Sequence, residues 1–416
     1  MSDLNSTPKG ERLRIAFFGR RNVGKSSLIN ALTRQQTSLV SDVPGTTTDP
    51  VEKHMELLPL GPVTIVDTAG IDDTGELGSA RVELTNRALE SADIAVLAAE
   101  CSEWGAWEQD LVDALKKRKT PFVVAATKRD LGPISESFPR VIADKAVSVS
   151  ATTGEGVDDL ADAIAAAVPE GFYDDPAILH DLIPEGGLAV LVVPVDKEAP
   201  KGRLILPQVQ TIRDLLDGHC MALVVQDADL SEALTRLSAK PDIVVTDSQA
   251  FAKVAPVVPD DVPLTGFSLL MARYKGDIRM LALGAGRLGA LEPGNRVLIA
   301  ESCTHHPICD DIGTVKIPRM LETKVCAGLE LDHCQGMTFP DDISSYDLVI
   351  HCGGCMLNRT GMASRLRRCE AAGVPVTNYG MAIAHALGIL PRALRPFEGA
   401  LEAYEDGLEK LPLQDA

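Results

Sequence analysis

Two groups of residues in this chain could do chemistry, and they lie about 280 positions apart. The first is Gly19-Arg-Arg-Asn-Val-Gly24-Lys25-Ser26-Ser27. The second is Cys303-Thr-His305, answered far downstream by His351-Cys352-Gly-Gly-Cys355. Glycines that free the backbone, set beside a lysine, suit the phosphates of a nucleotide. Cysteine thiolates and imidazole nitrogens suit zinc or the iron of an iron–sulfur cluster. Few kinds of protein need both on one polypeptide.

The spacing Gly19-x4-Gly24-Lys25-Ser26 fits a P-loop if a strand precedes it and a helix follows. Arg14 to Phe18 reads as that strand and Ser26 to Thr33 as that helix. Gly19, Asn22, Val23, Gly24, Lys25, Ser26 and Ser27 are the expected nucleotide contacts, with the helix N-terminus adding partial positive charge. Lys25 is expected on the β- and γ-phosphates and Ser26 on magnesium. Asp67-Thr-Ala-Gly70 follows a second strand. There Asp67 can hold magnesium through water, and the Gly70 N–H can sense the γ-phosphate. Gly45-Thr46-Thr47-Thr48-Asp49 supplies Thr47 for the same metal. Lys25, Thr47, Asp67 and Gly70 are thus the expected catalytic set. Thr127-Lys128-Arg129-Asp130 follows a further strand, and the Asp130 carboxylate can accept two hydrogen bonds from a guanine edge. Ser150-Ala151 supplies a backbone contact to the guanine carbonyl. In this order the set resembles small GTPases of the Era/TrmE type, which implies GTP and magnesium.

Two positions depart from that pattern. Thr127 stands where the guanine motif usually begins with Asn; it keeps a hydroxyl with less reach, which is expected to lower affinity. Ile71 stands where a water-orienting Gln would sit, so intrinsic hydrolysis is expected to be slow or assisted by a monovalent cation. Asn22 is the candidate potassium ligand, with ordinary loop capping as the plainer reading.

On the metal side, Cys352 and Cys355 at x2 spacing can share one centre, and Cys303 and His305 at x1 spacing suit a turn at a strand end. His351 directly precedes the cysteine pair. Spacing alone leaves zinc and iron–sulfur open. His306 reads as a surface group. Cys309, Cys326, Cys334 and Cys369 read as packed small hydrophobes, with Cys334 the one to watch. Gly284-Ala-Gly286-Arg-Leu-Gly289 fits G-x-G-x-x-G, but Leu291-Glu-Pro293-Gly294 leaves no room for a crossover helix, so dinucleotide binding is not expected.

These residues need elements to hold them. Strand-like runs alternate with helical ones, the pattern of parallel α/β sheets. The expected fold class is α/β: a P-loop GTPase domain over 1–170, a Pro/Gly-punctuated linker over 171–184, then two smaller α/β domains with largely parallel sheets over 185–262 and 263–416. In the last of these, strands are expected at Val297 to Ala300, Gly328 to Leu331, Leu348 to Ile350 and Val374 to Thr377. Cys303, Cys334, Cys352 and Asn378 then lie just past strand ends. Carboxyl ends of parallel strands share one edge, so residues far apart in sequence can converge there.

The 416 residues suffice for two or three domains, and a net charge of −19 makes nucleic acid and anionic membranes unexpected partners. No apolar run is long enough to span a bilayer and the N-terminus lacks a signal-peptide core, so a cytoplasmic location is expected. Seven of the nine cysteines lie between Cys303 and Cys369, which in a reducing compartment favours metal over disulfides.

Cys-x-His, a gap, then His-Cys-x-x-Cys, behind an Era/TrmE-like GTPase, resembles the HydF family of FeFe-hydrogenase maturation GTPases. The stretch Ala199 to Arg213 is similar as well. The resemblance covers nearly the whole chain. It implies a dimerisation domain over 185–262 and a cluster-binding domain over 263–416. It further implies a 4Fe-4S cluster on Cys303, Cys352 and Cys355, with a fourth exchangeable position and with His305 and His351 as labile or supporting partners. It implies a homodimeric scaffold that receives a two-iron precursor from radical-SAM maturases and delivers it to apo-FeFe-hydrogenase. The competing expectation is a zinc-stabilised, RNA- or ribosome-associated GTPase.

Overall fold

Leu13–Phe18 (β1) is apolar at every position but Arg14 and buried along its whole length, as a strand covered on both faces must be. The computed structural model describes residues 10–33, 51–57, 60–68, 85–86, 88–169, 172, 176–195, 204–302, 311–336, 339–340, 342–354 and 357–409. The chain divides into two compact units, Met1–Asp175 and Pro176–Ala416.

In the first unit β1 is joined by Val51–Leu57 (β2), Gly61–Asp67 (β3), Ile94–Glu100 (β4), Phe122–Thr127 (β5) and Val147–Ser148 (β6). The order is β2-β3-β1-β4-β5-β6, and only β2 runs antiparallel. Sequence reading overlooked β2 because Glu52, Lys53, His54 and Glu56 break its apolar pattern. Charged residues are how an edge strand is kept from pairing further. Two apolar layers flank the sheet. Ile15, Phe17, Leu28, Ile29 and Ile164 form one; Phe18, Leu97, Val112 and Leu115 form the other. Each such fully buried side chain contributes about 1.5–3 kcal/mol.

The second unit holds two four-stranded sheets. Leu188–Val192 (β7), Met221–Val225 (β8), Ile243–Thr246 (β9) and Leu264–Gly266 (β10) form one, in the order β10-β9-β7-β8. Arg296–Ala300 (β11), Glu330–Cys334 (β12), Leu348–His351 (β13) and Val376–Asn378 (β14) form the other, in the order β12-β11-β13-β14. All pairings in both are parallel. The two sheets share one apolar core, in which Val190, Val244, Phe267, Leu270, Leu298, Val349 and Val376 belong to a single cluster. The strand expected at Gly328 to Leu331 begins later, at Glu330. Gly328 is a left-handed turn residue (φ +80°) whose carbonyl accepts from Gly294 N–H, so Cys334 closes the strand instead of following it.

The G-x-G-x-x-G stretch is helical. Gly284 and Gly286 lie in the helix Ile278–Gly286, and Gly289 in the turn Arg287–Ala290. A Cβ on Gly284 would stand 2.0 Å from the Val376 carbonyl oxygen, and one on Gly286 would stand 2.4 Å from that of Tyr404. These glycines let the helix press against β14 and against the helix Ala400–Glu409. Gly289 is different: a Cβ there meets its nearest atom at an ordinary 3.6 Å. Gly284→Ala is expected to destabilise the chain by about 1–3 kcal/mol through overpacking, and Gly289→Ala by less than about 0.5 kcal/mol, in urea unfolding. Equal effects would contradict the packing role.

Candidate functional site

The nucleotide loop leaves the carboxyl end of β1. Gly19 lies against β4: a Cβ there would stand 2.5 Å from the Ala98 carbonyl oxygen. Asn22 (φ +60°) and Gly24 (φ +98°) turn the chain through left-handed conformations into the helix Lys25–Leu32. Asn tolerates that region better than most side chains, which suits Asn22 to this turn. Lys25 is buried, and its ammonium donates to the carbonyls of Gly19 (2.5 Å) and Arg20 (3.0 Å). That holds the charge over the loop. Ser26 Oγ donates to Asp67 Oδ2 at 3.1 Å, so the two expected magnesium residues already touch. Burial raises the Asp67 carboxyl above its ordinary value, opposed by the Ser26 bond and by the charges of Lys25 and Lys53. Arg20 turns away from the loop onto Glu108 (2.7 Å) and Glu103 (3.1 Å). Thr47, Gly70 and Ile71 lie outside the described residues.

The Thr127 hydroxyl reaches the loop: Oγ1 donates to the Val23 carbonyl at 2.7 Å, with the Ala99 carbonyl at 3.2 Å. The shorter side chain suffices because β5 runs close beneath the loop. The next residue, Lys128, takes a left-handed φ of +58°, and its ammonium binds Glu100 at 2.7 Å. Asp130 is exposed on the following turn, Arg129–Leu131. Ser150 is buried and anchors the last loop, accepting through Oγ from Thr153 N–H and through its carbonyl from Gly154 N–H. Ala151 follows it, half-buried.

In the second unit β12, β11 and β13 end side by side, with Cys334 opposite Ala300 and Ala300 opposite His351. Cys352 follows β13 and is buried. Its Sγ accepts from the backbone N–H of Ser302 (3.2 Å) and of Gly354 (3.4 Å), and lies 3.3 Å from Ser302 Oγ. Backbone N–H donors aimed at sulfur tune an iron–sulfur centre, so this residue fits a metal-bound cysteine. Ser302 directly precedes Cys303. Cys303, His305, His306, Cys309 and Cys355 lie outside the described residues. Among the described residues alone, no group of three His, Cys, Asp or Glu could hold a metal ion.

His351 is engaged through both ring nitrogens. Its Nδ1 lies 2.8 Å from the Cys352 carbonyl and its Nε2 lies 2.8 Å from Arg365 Nη1. The first bond needs N–H on Nδ1, and the second needs the Nε2 lone pair. Both nitrogens are therefore used, and the ring is neutral. Burial and the Arg365 charge push its pKa down to about 3. Arg365 also binds the Gly336 carbonyl and lies over the Phe339 ring. Nothing in the sequence distinguishes Arg365 from its neighbours Arg367 and Arg368 on the same helix. Glu301, buried at the end of β11, accepts from Tyr379 (3.2 Å) and Gln335 (3.3 Å). Burial and that carboxylate keep the Tyr379 phenol protonated. Burial pushes Cys334 up to about 11 and Cys369 to about 12, as for inert thiols.

Residues 178–276 match the Hydrogen maturase F dimerization domain, and residues 279–396 match the Hydrogen maturase F tetramerization domain. The chain belongs to the hydrogen maturase F family. Residues 14–128 match a GTPase family described as 50S ribosome-binding GTPase, so the family's oligomerisation domains follow a GTPase domain here. Among curated relatives, the tRNA modification GTPase MnmE of Synechococcus elongatus is 38% identical over 180 residues, covering 40% of this chain and 38% of that protein. MnmE of Methylobacterium radiotolerans is 38% identical over 200 residues, covering 47% of this chain and 43% of that one. The chain thus spans less than half the length of these relatives. Among solved structures, the G domain of the T. maritima FeoB iron transporter aligns with 38% of this chain and 99% of its own, at 23% identity and a TM-score of 0.30.

Within the GTPase domain the Thr127–Val23 bond ties the guanine motif to the phosphate loop. Thr127→Ala leaves the Val23 carbonyl without this donor, a loss of about 1–2 kcal/mol that should weaken guanine-nucleotide affinity roughly ten-fold. Thr127→Ser keeps the hydroxyl and should stay within about two-fold by fluorescent-nucleotide titration. An alanine variant that binds as well as wild type would show that the bond carries no affinity.

Proposed function

We propose that this protein binds and hydrolyses GTP with magnesium in its first unit and carries an iron–sulfur cluster in its second. On this reading it is the scaffold and carrier on which the two-iron subcluster of FeFe-hydrogenase is assembled for delivery. Family membership supports the hydrogenase-maturation part. The observation that carries the metal part is Cys352, a buried thiol at a parallel sheet edge receiving two backbone N–H groups. Cys303, Cys352 and Cys355 would hold the cluster, with one position left exchangeable for His305 or for the cargo. When bound, a cluster of this kind supplies an open iron site on which a second iron unit can be tethered. Radical-SAM maturases and apo-hydrogenase are the proposed partners, and a homodimer is the proposed working form.

In the GTPase domain, Lys25 neutralises the β- and γ-phosphates, Ser26 and Thr47 ligate magnesium, and Asp67 holds it through water. Gly70 reports the γ-phosphate by its N–H. Lys128 and Asp130 select guanine, with the Ser150–Ala151 backbone at the guanine carbonyl. Ile71 offers no side chain to orient the attacking water, so GTP acts as a slow switch more than as a driver of chemistry. A potassium ion at Asn22 would supply the missing charge. Hydrolysis is then faster in potassium than in sodium, and Asn22→Gly, which keeps the left-handed turn without the carboxamide, abolishes the difference. Equal rates in the two salts for the wild type would remove potassium from the mechanism.

The RNA-associated alternative rests on the names of the GTPase relatives, while the net charge of −19 opposes phosphate-backbone binding. Anaerobic reconstitution with iron and sulfide, followed by EPR of the reduced chain, decides the reading. Cys352→Ala should lose the cluster signal and keep GTP hydrolysis; Lys25→Ala should lose GTP binding and keep the cluster. Tight zinc with no reconstitutable cluster would overturn the scaffold assignment.

A further inference from the structure

The helix Phe267–Lys275 ends on a lysine, which at a helix C-terminus normally reaches for its own last carbonyls or for water. Lys275 reaches across the fold. It is buried, and its ammonium donates to the carbonyl of Gly354 at 2.9 Å and to that of Leu357 at 3.1 Å, 79 and 82 residues away. Those two carbonyls bracket Cys355 in sequence. Gly354 is held at both ends: its N–H lies on Cys352 Sγ and its carbonyl on the Lys275 ammonium. Its φ of +61° is left-handed, a conformation that favours glycine. Lys275 lies within the stretch that matches the dimerization domain; Cys352 lies within the one that matches the tetramerization domain.

We infer that Lys275 is a positioning residue for the metal centre. Supplied by one domain of the second unit, it clamps the loop that follows Cys352 in the next and sets a positive charge on the Gly354 carbonyl, two residues from that cysteine. This rests on the cluster reading above. A buried cation next to a thiolate-bound centre favours its more reduced, more negative state, so it raises the reduction potential. The clamp itself slows loss of metal, because the loop must open for the metal to leave.

The test uses the full chain, reconstituted anaerobically with iron and sulfide, as wild type, Lys275→Met, Lys275→Gln and Lys275→Arg. Lys275→Met should shift the EPR-monitored midpoint potential to more negative values and release iron to a chelator several-fold faster, with GTP hydrolysis unchanged. Lys275→Gln, which can still donate to a carbonyl without the charge, should shift the potential while recovering part of the retention. Lys275→Arg should keep the wild-type potential. Should Lys275→Met fail to fold, the potential of Lys275→Gln at wild-type urea stability carries the test. A wild-type potential and release rate in the Met or Gln variant would overturn the inference, leaving the cluster reading intact. A wild-type chain that takes up no cluster would overturn both.

Discussion

Parallel strand pairing is the constraint from which the rest of this molecule follows. Of the three sheets, only β2 runs against its neighbour. Parallel strands require crossovers, and crossovers place every loop that leaves a carboxyl end on the same edge. The phosphate loop after β1, Asp67 at the end of β3 and Thr127 at the end of β5 meet because of that rule. Cys334, Ser302 and Cys352 stand at the ends of β12, β11 and β13 for the same reason. The chemistry of the two units differs, but the device that gathers it is one.

That device made much of the molecule legible in advance. A buried parallel strand must be apolar at nearly every position, so β1, β4, β7 and β13 announce themselves as short runs of Val, Ile, Leu and Ala. Where a strand faces solvent the signal fades, as in β2, whose charges suit an edge and disguise a strand. Motif residues were legible where their role depends on the backbone just before and after them, as for Gly24, Lys25 and Asp67. They were not legible where it depends on what lies across the fold. Thr127 looked too short because side-chain length shows in a sequence, while the closeness of Val23 does not. His351 stands out in the sequence because its neighbour is a cysteine, while its bond to Arg365, fourteen residues later on another element, does not show there.

The sheet edge around Cys352 has a second layer that no spacing reveals. Cys352 is fixed by backbone donors, its neighbour His351 is fixed by a guanidinium, and Gly354 is fixed by an ammonium. Each of these groups is buried, and each carries its bond to a carbonyl, an imidazole or a sulfur. Desolvated polar groups are costly unless bonded, so an arrangement in which these groups satisfy one another resists partial rearrangement. On the proposed reading, a loop that holds a metal benefits from that stiffness.

The shared core of the two sheets gives this stiffness a direction. Phe267, Leu270 and Tyr274 bury the helix Phe267–Lys275 in the same apolar cluster that contains Leu298, Val349 and Val376 from the metal-bearing sheet. The helix end that carries Lys275 is therefore set by the packing of both sheets. Dense interiors transmit displacement because they have few voids to absorb it. A change in how copies of the chain associate, if it shifts this helix, moves the ammonium and with it the Gly354 carbonyl and the Cys352 loop. The stretches that match the two oligomerisation domains thus pack into one core, and the sheet edge that carries Cys352 is part of it.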